Sequence, residues 1–83
     1  MEATAQRKRY KGKLLHGLRE ARESAALSVR EVGDRSGVHY VTIAELEGLD
    51  RGARPSTVRK LANALDVTPN RLYTPPEEDG GPS

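Results

Sequence analysis

Apolar side chains in the middle of this chain return at intervals of three and four residues, with charged residues between them. Leu14, Leu18, Ala21 and Ala25 make a first stripe, widened by Leu15, while Arg19, Glu20, Arg22 and Glu23 fill the other face. The spacing predicts a helix from about Lys13 to Ser24. Ser28-Val29-Arg30-Glu31 then has the form of a capping box. Its serine hydroxyl can accept from the Glu31 N–H while the glutamate reaches back to the N–H of Ser28. The second helix therefore begins after Ser28, turns Val32 inward and Asp34 and Arg35 outward, and stops at Gly37, a residue able to adopt the left-handed conformation that ends helices. Only Val38 and His39 intervene before Ile43 and Leu46 mark a third helix, from about Tyr40 to Glu47. So short a link makes the two helices cross steeply, as in a helix-turn-helix.

After Glu47 comes GLDRGARP, a polar loop. Pro55-Ser56 opens a fourth helix, with Ser56 expected as its N-cap, and Val58, Leu61, Ala62 and Leu65 form its buried stripe. Thr68 and Pro69 suit the N-cap and first position of a short fifth helix ending at Leu72 or Tyr73. No segment alternates with period two, so strands are not expected, and no internal repeat is visible. The expected fold class is all-α: five short helices in one compact domain over residues 13–73. A basic arm precedes it (1–12), and a Pro- and Gly-rich tail expected to be disordered follows (74–83).

Composition narrows the function. With 83 residues the chain has room for one domain. It has no Cys, which removes disulfides and cysteine zinc fingers, and two isolated His residues do not make a metal site. No metal or other cofactor is expected. Nothing at the N-terminus resembles a signal peptide, and no apolar run approaches the roughly 20 residues that cross a bilayer, so a cytoplasmic location is expected for a bacterial or phage source, with no membrane partner. The net charge is only +2, but it is unevenly spread. Arg7, Lys8, Arg9, Lys11 and Lys13 face only Glu2 at the start of the chain, whereas Glu77, Glu78 and Asp79 leave the tail purely acidic. A basic arm raises affinity for phosphate polymers through counterion release; the plainer alternatives are a solvated terminus or a nuclear localisation signal.

Several short pieces in register resemble the lambda-repressor/Cro-like (XRE-type) helix-turn-helix family. They are Leu18-Arg19 with Arg22, Ala26-Leu27-Ser28, Val38 with Ile43, Glu47, and Pro55-Ser56 followed by Lys60-Leu61-Ala62, Ala64-Leu65 and Val67. The resemblance covers residues 14–73. It implies a lambda-repressor-like five-helix domain whose second and third helices bind DNA, and a buried ion pair between the first helix and the end of the third, at Arg22 and Glu47. Three departures stand out. Val29 occupies a position often held by a DNA-backbone-contacting Gln. Gly33 sits in mid-helix two, where it costs about 1 kcal/mol relative to Ala but admits a close neighbour. The loop between Glu47 and Pro55 is about two residues longer than the common pattern, which affects where Arg51 and Arg54 stand.

A recognition helix reads base edges from its first turn and one turn further on. His39, Tyr40, Val41 and Glu45 are the candidate base contacts, with Ala44 on the same surface. Val41 suits a thymine methyl, and Tyr40 suits a base or phosphate; alternatively Tyr40 covers the surface of helix two. Glu45 could accept from a cytosine amino group or pair with a nearby Arg. Arg7, Lys8, Arg9, Arg30, Thr42, Arg51 and Arg54 are the candidate phosphate contacts, which carry affinity rather than sequence information. The leading reading is a sequence-specific transcriptional regulator that binds double-stranded DNA. It would act as a homodimer if the fifth helix, through Leu72 and Tyr73, forms the contact; plain core burial of that helix is the other possibility. The competing class is an antitoxin or similar protein-interaction module, its acidic tail folding on a partner. An enzyme is not expected, since Ser28 and Ser36 lack a His–carboxylate arrangement and no phosphate-cradling Gly loop precedes a helix.

Overall fold

The computed structural model describes residues 12–75. Within them the chain forms five helices: α1 (Leu18–Ser24), α2 (Val29–Ser36), α3 (Tyr40–Glu47), α4 (Pro55–Leu65) and α5 (Pro69–Tyr73). No strand occurs among the described residues. The basic arm through residue 11 and the tail from residue 76 lie outside them.

The helices pack as a closed ring: α1 on α3, α3 on α2, α2 on α4, α4 on α5, and α5 back on α1. The core inside the ring is wholly apolar, built from Leu15, Leu18, Ala21, Val32, Ile43, Leu46, Ala53, Val58, Leu61, Ala62, Leu65 and Leu72. Each fully buried Leu, Ile or Val contributes about 1.5–3 kcal/mol relative to exposure.

The first helix is shorter than its periodicity predicts. Residues 12–15 run without helical structure, and helix begins only at Leu18. Tertiary backbone bonds claim this segment instead: Lys13 C=O accepts from Ala53 N–H (3.2 Å), and Gly17 N–H donates to Leu72 C=O (2.9 Å). Gly17 sits so close to the carbonyls of Arg71 and Thr74 that a Cβ there would collide with backbone. As a result Leu15 enters the core, whereas Leu14 and Ala25 are exposed. Ala26 closes α1 in the left-handed conformation (φ 59°).

The second start signal holds in full. Glu31 N–H donates to Ser28 Oγ (3.0 Å), and Ser28 N–H donates to Glu31 Oε1 (2.7 Å). The Ser28 N–H first, and the Ser28 hydroxyl after it, hold the Glu31 carboxyl below the usual carboxylate range. Gly37 ends α2 with φ 81°, a left-handed conformation that other residues adopt at a cost. The fourth helix starts two residues earlier than a Ser56 cap would place it. Arg54 is its N-cap and Pro55 its first residue, so Ser56 lies inside the helix. Proline's fixed φ and missing N–H suit that first position. Thr68 and Pro69 open α5 as anticipated, although Thr68 makes no side-chain cap bond.

Leu72 is completely buried. The expectation that it contributes to a dimer surface is therefore corrected: α5 turns Leu72 into the core and offers solvent only its other residues. Tyr73 is half-buried, with Lys13 Nζ 5.2 Å from its ring centroid, and Arg71 bridges to Glu20 of α1 (2.8 Å).

Candidate nucleic-acid interface

The Gly37 turn sets α3 against α2 at very short range. A Cβ on Gly33 would lie 3.0 Å from Val38 O and 3.4 Å from Tyr40 N, so the turn would have to give by a few tenths of an ångström to admit one. Ile43 and Leu46 anchor α3 in the core. The opposite surface stays open. His39, Tyr40, Val41 and Ala44 are exposed, Tyr40 at 37% and Val41 at 47%. These apolar and aromatic groups meet water with no packing reason to do so.

His39 plays a part the sequence did not suggest. It is the N-cap of α3, its Nδ1 accepting from Val41 N–H at 3.1 Å. An imidazole accepting at Nδ1 is neutral there and carries its proton on Nε2. The ring also stacks on Tyr40, with centroids 4.7 Å apart and planes 21° from parallel. Histidine is not among the common capping residues, so only the geometry reveals the role.

Tyr40 is also held from α2. Arg30 Nη2 donates to the Tyr40 hydroxyl (3.2 Å), and the guanidinium carbon stands 4.4 Å from the ring centroid. Tyr40 thus both covers part of α2 and remains open to solvent. Glu45 is one turn further along α3 and half-exposed; its Oε1 accepts from Arg51 Nη1 at 3.1 Å. Two of the candidate DNA contacts therefore neutralise one another, and Arg51 Nε is buried without a partner. Thr42 is half-buried in α3, and Arg54 is exposed at the head of α4. Arg7, Lys8 and Arg9 lie outside the described residues.

Behind this surface, Arg22 of α1 grips the end of α3. Its Nε donates to Glu47 Oε2 (2.6 Å), its Nη2 to Glu47 Oε1 (3.1 Å), and its Nη1 to Leu27 C=O (2.8 Å). The side chains are only 14% and 9% exposed. The hydrogen bonding that Arg22 donates to Glu47 raises the Arg22 pKa above its ordinary value, with burial opposing and the attraction of Glu47 adding to the rise. This planar, two-pronged geometry is one that Lys cannot reproduce. Through Leu27, the same guanidinium also fixes the chain that enters α2.

A core-anchored helix presented after a glycine bend, with its neighbour packed across it, defines a DNA-binding helix-turn-helix domain. Residues 18–72 match the family model described as helix-turn-helix, and the chain belongs to that family. The chain is also similar to a solved structure, the restriction-modification controller protein C.AhdI from Aeromonas hydrophila. The two are 30% identical with a TM-score of 0.67, over 72% of this chain and 91% of that one. No curated protein matches the sequence. No helix among the described residues is long and apolar enough to cross a membrane, and no group of three His, Cys, Asp or Glu residues gathers there.

Proposed function

We propose that this protein is a sequence-specific transcriptional regulator that sets α3 into the major groove of double-stranded DNA. The observation that carries this reading is the exposed surface His39–Tyr40–Val41–Ala44 on a helix locked from behind by Ile43, Leu46 and the Arg22–Glu47 pair. Tyr40 and Val41 meet base edges, Val41 packing on a thymine methyl. Arg54 and the basic arm contact phosphate, and His39 offers its Nε2–H to a base or phosphate. Glu45 and Arg51 act as a pair, which spares the DNA an isolated carboxylate. The likeness to a restriction-modification controller supports regulation over the protein-interaction alternative. A bacterial source would place this activity in the cytoplasm.

One such unit covers a half-site, so two copies on a two-fold operator supply useful specificity. Pairing through α5 would use Pro69, Asn70 and the half-buried Tyr73 rather than Leu72. Selection of bound sequences from random duplex DNA tests the proposal. Enrichment of related sites with two-fold symmetry is the expected result. Recovery of no sequence above background at moderate salt would overturn it.

A further inference from the structure

The contact between α2 and the first residue of α3 has a directional chemistry. A tyrosine hydroxyl can donate one hydrogen bond and accept others, whereas a guanidinium can only donate. In the Arg30–Tyr40 contact the phenol oxygen is therefore the acceptor (3.2 Å), and the phenol proton must find a partner elsewhere. No acceptor for it occurs among the described residues. The ring cannot easily swing to change this polarity. It rests against the Arg30 guanidinium (4.4 Å) and is stacked on the imidazole of His39 (4.7 Å), whose position is fixed by capping α3. At 37% exposure Tyr40 remains open to solvent, next in the chain to the more exposed Val41.

We propose that Arg30, by engaging the Tyr40 oxygen as an acceptor, turns Tyr40 toward DNA as a hydrogen-bond donor, so that Tyr40 favours base edges bearing an acceptor over the amino edge of cytosine. In the major groove the acceptors are guanine N7 and O6, adenine N7 and thymine O4, whereas cytosine presents only its N4 donor. Arg30 is the positioning residue and Tyr40 the specificity-determining one. The inference rests on the reading of α3 as the DNA-reading helix.

The test uses the full chain and a duplex enriched from a random library by the wild-type protein, together with all its single-base-pair variants. At one base-pair position the wild type should bind a cytosine-edge variant about fivefold or more weakly than acceptor-bearing ones, as for the loss of a single hydrogen bond. Tyr40→Phe should flatten the preference at that position alone. Arg30→Met should flatten the same position, and Arg30→Met/Tyr40→Phe should have the base profile of Tyr40→Phe with no further change. Arg30→Lys keeps the charge but loses the flat stacking surface, so it should retain salt-dependent affinity while weakening the preference. A uniform loss of affinity across all duplexes on Arg30→Met, with a log–log salt slope shallower by about 1 and an intact base profile, makes Arg30 a phosphate clamp and overturns this inference alone. Failure to enrich any duplex overturns the functional reading and this inference with it.

Discussion

Replacing Glu47 with Ala is the sharpest probe of what holds the reading helix in place. The substitution deletes two charge-assisted hydrogen bonds, at 2.6 and 3.1 Å, and leaves the Arg22 cation with Leu27 C=O as its remaining bond. Removing one member of a buried ion pair costs about 3–5 kcal/mol, mostly because the survivor stays charged and poorly solvated. Arg22 retains 14% exposure, so the lower end of that range, about 3 kcal/mol, is expected. A domain this small is expected to have only roughly 5 kcal/mol or little more in total. The melting temperature should fall by roughly 12–24 °C, at about 4–8 °C per kcal/mol for a domain of this size. Urea unfolding followed by far-ultraviolet circular dichroism would measure the change, provided the urea dependence is unaltered. Arg22→Met/Glu47→Leu supplies the control. Filling the site with apolar groups removes the stranded charge and should recover most of the loss. The reasoning fails if Glu47→Ala changes stability by less than about 0.5 kcal/mol, or if the double variant is as unstable as the single one.

Other outcomes follow from the same structure. Ala26 holds φ 59° at the end of α1, so Ala26→Gly should raise unfolding stability by about 1 kcal/mol, read from the same urea curves. The Glu31 carboxyl is depressed in the folded protein, so its contribution is present above the unfolded-state value and lost as pH falls through the lower folded value. The stability difference between wild type and Glu31→Gln should accordingly shrink in acid and be constant near neutrality, as urea titrations at a series of pH values would show. Deleting residues 1–11 removes Arg7, Lys8, Arg9 and Lys11. The dependence of log K on log salt should flatten by up to about 0.9 for each phosphate the arm neutralises, with the melting temperature preserved. The cut must stop there, because Lys13 C=O is bonded to Ala53.

Where local chemistry decides the structure, the sequence was readable. The Ser28–Glu31 box, the left-handed Gly37 and the stripe of α4 each depend on residues within a turn or two of one another, and each appears as expected. Residues 13–17 have the same helical periodicity, yet they pair with Ala53 and Leu72, far along the chain, and backbone partners leave no mark in a side-chain pattern. The candidate interface divides in the same way. The exposed positions of α3 follow from its buried ones, whereas the detailed contacts do not. His39 as a cap, Arg30 on Tyr40, and Arg51 on Glu45 six residues away are choices among several chemically equivalent partners. Spacing cannot rank such choices; a folded backbone can. Ala26 and Leu49, both left-handed among the described residues, likewise carry no compositional signal, whereas Asp66 is of a type that visits that region more readily.

Because the five described helices close on themselves, none of them is terminal in space, although α1 and α5 are the first and last of them in sequence. Fraying of α5 would strip support from α1, and α1 carries the guanidinium that clasps the far end of α3. Damage at α5 would therefore travel to the reading surface in two steps. Such a molecule should lose its order all at once rather than helix by helix.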